Sequence, residues 1–287
     1  MRLPLLLRAM RPAQWTKNLF VFAALLFHIP DDSPAMVGQA VAAFVLFSAV
    51  SGSIYIFNDF VDLESDRANP EKQDRPLAAG LLPPRTALVF GGGLLLVALC
   101  AALALRPLLA ATLAAYVALN IAYSLRIKHI PIADLFAVAA GFVLRAVAGG
   151  VAIQVPFTSW FLLCAMLLAL FLATGKRRFE VLQAQTEGAC HRAVLREYTP
   201  ELLNQLSSVT AALVIMAYSM FSFTASHTPA LMLTIPFVIY GMFRYLLLIH
   251  IAGKGGRPEH TLIDDKQILL TVFTFAVLVV IVLWTFR

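Results

Sequence analysis

Residues 35–67 read AMVGQAVAAFVLFSAVSGSIYIFNDFVDLESDR, an apolar run from Ala35 to Phe57 that passes without a break into the most acidic passage of the chain. A transmembrane helix needs about 20 consecutive apolar residues. The first part is therefore long enough to cross a bilayer, and it delivers a dense set of charges to one membrane face. That pairing of an apolar run with a polar terminus recurs along the chain and decides the fold class.

Working outward, the apolar runs predict nine spans: about Asn18–Ile29, Ala35–Phe57, Thr86 to just before Arg106, Leu108–Tyr123, Leu135–Ile153, Ser159–Thr174, Leu202–Ala225, Pro229–Ile251, and a last one ending at Phe286. The first, closed by Pro30-Asp31-Asp32, is short for a crossing unless preceding residues join it. Arg2, Arg8, Arg11 and Lys17 stand among leucines in a segment expected to lie on the membrane surface. The Leu-Pro-Leu-Leu-Leu run is too short for a signal-peptide core, so the N-terminus is expected to be retained. Composition agrees: the 287 residues are 60% hydrophobic and 13% charged, with mean hydropathy +0.82. A soluble domain is nearer 45–50% apolar and about 25% charged. The expectation is an all-α integral membrane protein, residues 1–287 forming one polytopic domain of about nine helices.

Charge placement orients it. Apart from Arg106, Arg145, Arg244 and Arg287, every Lys and Arg lies at the N-terminus or in the four long loops. The positive-inside rule puts those segments and the N-terminus in the cytoplasm, and the C-terminus outside. The polar chemistry then faces one compartment, and no nucleic-acid partner is expected. Cys100, Cys164 and Cys190 have no metal or redox spacing; the first two read as packing residues and the third as a loop thiol. No internal repeat is evident. Carriers often place polar sites near the midplane between inverted repeats, which weighs against that class.

Asp59, Asp62 and Asp66 recur at helical spacing, with Asn58 one turn before Asp62. Carboxylates stacked so repel one another unless a cation sits among them. Mg²⁺, which takes oxygen ligands and shares them with substrate phosphates, suits the set; the plainer alternative is a solvated loop. Arg67, Lys72, Arg75 and Arg85 follow at once. In the second polar loop Tyr123, Arg126, Lys128 and Asp134 offer phosphate contacts and a carboxylate, with topology anchors as the plainer reading. Lys176, Arg177 and Arg178 are consecutive at a span end, either lipid-headgroup cations or a second anion site across a cavity from the first. Arg145 lies inside a span, which marks it as a functional candidate or a structural ion pair, and Gly141, Gly149 and Gly150 beside it allow close helix contact.

Asn58-Asp59-x-x-Asp62-x-x-x-Asp66 followed by Arg75-Pro76-Leu-Ala-Ala-Gly80 resembles the first signature of the UbiA-type membrane prenyltransferase superfamily, over essentially the whole chain. The resemblance implies a helical bundle around a central cavity open to the cytoplasm and sideways to lipid. It also implies Mg²⁺ on Asn58, Asp62 and Asp66, with Asp59 nearby, and diphosphate contacts from Tyr123 and Lys128. Aromatic prenyltransferases of the superfamily carry a second Asp-x-x-x-Asp motif after span six; here Gly-Lys176-Arg177-Arg178-Phe-Glu180 stands in that place. With Arg11-Pro-Ala-Gln14-Trp15-Thr-Lys17-Asn18, Tyr123-Ser-Leu-Arg126-Ile-Lys128 and the Ala139–Gly150 segment, the chain is similar to the decaprenyl-phosphate phosphoribosyltransferase branch.

That branch implies transfer of a 5-phosphoribosyl group from phosphoribosyl diphosphate to a polyprenyl phosphate in a bacterial cytoplasmic membrane, for lipid-linked pentose and cell-envelope arabinan synthesis. Asp59, Asp62, Asp66 and Lys128 are the expected catalytic residues. Lys17, Asn18, Arg67, Lys72, Arg75, Tyr123, Arg126, Asp134, Arg145, Lys176, Arg177 and Arg178 are the expected substrate contacts. Two rivals remain: an aromatic prenyltransferase using a prenyl diphosphate, and a non-enzymatic polyprenyl-lipid carrier. The apolar outer faces allow a homo-oligomer without requiring one.

Overall fold

The computed structural model describes residues 3–27, 33–70, 72–187, 193–224, 228–251 and 264–286. Arg2, Cys190, Arg192, Lys254, Arg257, Arg287 and the Pro30-Asp31-Asp32 end of the first expected span lie outside them. The described residues form helices and no strand: α1 (Leu3–Ala9), α2 (Ala23–Leu26), α3 (Pro34–Val61), α4 (Leu63–Arg67), α5 (Pro84–Leu105), α6 (Pro107–Leu125), α7 (Ala133–Ile153), α8 (Ser159–Glu187), α9 (Pro200–Thr224), α10 (Ile235–Ile251) and α11 (Lys266–Thr285). Eight are long and apolar enough to cross a membrane, a short 3-10 turn, Pro229–Thr234, extending α10. They match the second to ninth expected spans.

The first expected span takes another form. Pro12–Phe22 is an 11-residue 3-10 helix that runs into the four residues of α2. Among the described residues this segment is not one of the eight helices long and apolar enough to cross a membrane. Arg11 starts it in the left-handed region (φ 51°, ψ 66°), with Pro12 at the first helical position.

Two further expectations are corrected. The acidic residues do not lie on one continuous helix face: α3 ends at Val61, Asp62 caps it at φ −94° and ψ 11°, and α4 starts a new helical turn. The third polar stretch is helical through Glu187, because Lys, Arg, Glu and Gln are good helix formers despite their charge.

The chain comprises two compact units. In the first (1–23, 33–127 and 144–155), α3 packs on α5, α6 and the Pro12–Phe22 segment. Phe47, Val50, Ile54, Leu109, Leu113 and Ala148 form its main core, and Leu6, Met10, Ile56, Leu77 and Leu82 a second one beneath α1. Outward apolar residues such as Val89, Leu96 and Val97 on α5 belong against lipid. Gly149 permits the closest approach: a Cβ there would lie 1.8 Å from the Val21 carbonyl oxygen, whereas Gly92 has nothing within 4 Å. Gly149→Ala is expected to lower stability by about 1–3 kcal/mol or more through overpacking. Gly92→Ala should be neutral or slightly stabilising. Thermal unfolding of the two variants in detergent is the check.

In the second unit (24–32, 128–143 and 156–287), α8 runs along α9, and α10 packs on α9 and α11. Phe171, Leu203, Ile249 and Ile268 anchor one core. Phe27, Phe161, Tyr218 and Phe221 form another, with Phe27 and Phe221 edge to face at 5.1 Å. Asp265 caps α11 through the Ile268 N–H and accepts two bonds from Arg244, which holds its carboxyl below the usual range.

Candidate active site

In the first unit, the helix break at Asp62 brings Asp59 and Asp66 into one buried cluster. The two carboxylates are 2% and 1% exposed. Arg75 Nη1 bridges them, 3.2 Å from Asp59 Oδ1 and also on Asp66 Oδ2. Lys72 Nζ lies 3.7 Å from Asp66 Oδ1, and Arg11 donates to Asp59 Oδ1. Buried carboxylates are tolerated only when paired, and these are. Asp59 Oδ2 is buried with no hydrogen-bond partner among the described residues. Asn58 Oδ1 accepts from Ser124 at the end of α6, and half-buried Asp62 keeps its N–H on the Asn58 carbonyl at 2.9 Å. Gly80, which closes the following loop, has φ +71°, a conformation glycine adopts without penalty.

Asn58, Asp59, Asp62 and Asp66 carry oxygen side chains, the ligand type of a hard divalent cation. Among the described residues, no three His, Cys, Asp or Glu side chains are assembled as a ready metal group. Cationic side chains hold the carboxylates instead.

Arg11 is a component that sequence reasoning missed, entering it only as a topology cation and part of a motif. Its backbone is left-handed, its guanidinium reaches a residue 48 positions away, and it stacks 5.1 Å over the Tyr55 ring. A non-glycine residue held in that region costs about 1–3 kcal/mol and marks a functional or over-determined position. The visible signal was an arginine immediately before a proline that starts a helix.

The second unit holds its own charge cluster. Asp134, at the start of α7, is fully buried and accepts from Arg177 and from Tyr198 Oη at 2.6 Å. Arg177 also pairs with Glu180 one turn on. Burial and the Asp134 hydrogen bond push the Tyr198 hydroxyl above the usual range.

The three consecutive cations, read from sequence as either headgroup contacts or a second anion site, do not share one environment. Helical phase sends them apart: Lys176 is exposed, Arg177 turns to Asp134, and Arg178 bonds Asn204 Oδ1 (2.6 Å) and the Ile249 carbonyl (2.7 Å) near the end of α10. Arg178 thus satisfies a helix-terminal carbonyl.

Asn18 and Arg145 lie together in the first unit. Arg145 Nε donates to Asn18 Oδ1 and Nη2 to Tyr116 Oη, both at 2.9 Å, and its guanidinium lies over the Phe47 and Tyr116 rings. Asn18 Nδ2 donates to Ser48 and Ser51. At 5% and 1% exposure, the pair fastens the 3-10 segment to α3, α6 and α7.

Of the remaining expected contacts, Lys17, Tyr123 and Lys128 are half-buried, and Arg126 and Arg67 are exposed. Arg67 donates to the Ala78 carbonyl. Lys128 sits in a short 3-10 turn, Ile127–His129.

Comparison with known proteins matches this architecture. The UbiA prenyltransferase family matches residues 18–259. A decaprenyl-phosphate phosphoribosyltransferase of Corynebacterium glutamicum is 35% identical over 96% of this chain and 86% of its own length. One of the same name from Mycolicibacterium smegmatis is 35% identical over 91% of this chain and 86% of its own. The structure of a UbiA homologue from Archaeoglobus fulgidus bound to GPP and Mg²⁺ superposes with TM-score 0.74 over 97% of this chain and 99% of that one, at 17% identity. The signature cluster, the helical architecture and these matches together make the chain a member of the UbiA prenyltransferase family.

Proposed function

We propose that this multi-pass membrane transferase moves a 5-phosphoribosyl group from phosphoribosyl diphosphate to a polyprenyl phosphate and releases diphosphate. The observation that carries the reading is the Asp59–Asp66 cluster with Arg11, Arg75 and Lys72 already on it. Its supports are the two relatives of that name, alike over more than nine tenths of the chain. The cationic bias of the long loops supports a cytoplasmic site, which a soluble phosphorylated donor can reach.

Asn58, Asp62 and Asp66 would hold Mg²⁺, with Asp59, whose Oδ2 remains unspent, beside them. Bound with the donor, Mg²⁺ would supply charge neutralisation to the departing diphosphate. The chain's own cations do the rest. Arg11 and Arg75 exchange carboxylate partners for phosphate oxygens, which an arginine fork binds with the same geometry. Lys72 and Lys128 add point charges. As the C1–O bond to diphosphate breaks, the sugar takes on oxocarbenium character. A phosphate oxygen of the lipid acceptor forms the new C1–O bond, and diphosphate leaves with the electron pair of the old one. The acceptor is already anionic, so no general base and no covalent nucleophile are required. Attack opposite the leaving group inverts C1.

The test uses purified protein with polyprenyl phosphate, phosphoribosyl diphosphate and Mg²⁺. Diphosphate should appear in equal amount to a lipid that yields ribose 5-phosphate on mild acid, with a β link at C1. An α-linked product would overturn direct displacement, and diphosphate release without lipid product would overturn the acceptor. Arg11→Ala should raise the donor KM by about 10- to 100-fold, the loss of one charge-assisted contact of about 1.5–3 kcal/mol. Steady-state kinetics with donor varied is the check.

A further inference from the structure

We propose that Tyr198 is a positioning residue for donor binding, its hydroxyl clamping the strained turn that carries Lys128. Ile132 has φ +67°. A β-branched residue in the left-handed region is a true outlier, and such strain persists only where surroundings over-determine it. Here the Ile132 N–H is held by a side chain from a distant segment. Tyr198 Oη accepts from the Ile132 N–H at 2.6 Å and donates to Asp134 Oδ1 at 2.6 Å. Asp134 is in turn held by Arg177, so the clamp is anchored in a fully buried network.

The turn is also coupled to its helix, since the N–H groups of Leu135 and Phe136 donate to the Ile132 carbonyl. Lys128 lies four residues before Ile132, in the 3-10 turn Ile127–His129 that leads directly into it. If φ at Ile132 relaxed to an ordinary negative value, the chain entering α7 would change direction and carry Lys128 with it. Tyr198 comes from a segment 66 residues further on, which local propensity cannot provide. The side chain itself is 3% exposed, packed in the core that includes Val194 and Leu195. It reaches no substrate, and its effect is exerted through Lys128.

The inference rests on the reading of Lys128 as a donor-phosphate contact, and the experiment separates the two. Donor KM and kcat are measured for Lys128→Met, Tyr198→Phe, the double variant, and Tyr198→Phe with Ile132→Gly. Lys128→Met should raise donor KM about 10- to 100-fold. Tyr198→Phe should raise it about tenfold with little change in the lipid-acceptor KM. The double variant should match Lys128→Met alone, because residues acting through one contact are non-additive. Glycine takes φ +67° without penalty, so Ile132→Gly should restore the Tyr198→Phe donor KM to within about threefold of the parent.

A structural defect alone would give neither the donor-specific loss nor the rescue. An unchanged donor KM in Lys128→Met overturns the Lys128 reading and this inference with it. A raised KM in Lys128→Met, with no effect of Tyr198→Phe or effects that multiply, overturns this inference alone. Should Tyr198→Phe not give folded protein, Ile132→Pro serves instead. It forces φ near −65° and removes the same N–H at a position 39% exposed, leaving the buried network intact. It should reproduce the donor KM loss, and an unchanged KM there would also overturn the clamp.

Discussion

Asp62→Ala is expected to abolish transfer, lowering kcat by about 10³-fold or more, while folded protein is recovered in normal yield. The separation of activity from folding follows from where Asp62 sits. It is half-buried at the break between α3 and α4, and its backbone N–H bonds the Asn58 carbonyl. Alanine keeps that bond. What it loses is one of the carboxylates assigned to the metal and diphosphate, and removing a single preorganised electrostatic contact to a transition state costs about 10²–10³-fold. A lost metal ligand adds to that through occupancy. Glu64→Ala, two residues away and exposed, is the matched control and should leave the rate unchanged. Initial rates at saturating donor, with size-exclusion profiles of both variants, decide the matter. Retained activity in Asp62→Ala would remove Asp62 from the site.

Arg177→Met is expected to destabilise the protein by about 3–5 kcal/mol, the cost of leaving one partner of a buried ion pair alone. Asp134 has no exposed surface, and its Oδ2 accepts from Arg177. Methionine fills the space but cannot donate. Adding Asp134→Asn to Arg177→Met removes the stranded charge and should recover part of the loss, so the double variant should melt above the single one. An anion site open to substrate would behave otherwise: Arg177→Met would weaken donor or acceptor use with little effect on melting. Thermal unfolding in detergent separates the two outcomes.

The helical membrane architecture was legible because apolar runs are dense and their ends are marked. Pro34, Pro84, Pro107 and Pro200 start helices within two residues of where hydropathy placed them, and α7 ends at Ile153 as expected. The Asn58–Asp66 signature was legible too, as spacing. The winding of Pro12–Phe22 was not, since 3-10 and α-helices draw on the same residues and differ in their hydrogen bonds. The end of α8 was misplaced because Lys176–Glu187 is polar and was read as loop, although those residue types favour helix.

The partners of the charges were least legible of all. Arg11 reaches Asp59, Arg177 reaches Asp134 and Arg145 reaches Asn18, across 48, 43 and 127 positions. A single sequence shows that a buried cation needs a partner but not which tertiary neighbour supplies it. Three adjacent cations looked like one patch in sequence, and helical phase sends them to three different environments.

The central claim is the identity of the donor. It is tested most directly by offering the purified protein, with Mg²⁺, labelled phosphoribosyl diphosphate with polyprenyl phosphate in one reaction and labelled geranyl diphosphate with an aromatic acceptor in another. The expected result is ribosyl label in the lipid phase, released diphosphate in equal amount, and no consumption of geranyl diphosphate. Prenyl label on the aromatic acceptor, with no ribosyl label in lipid, would contradict the account.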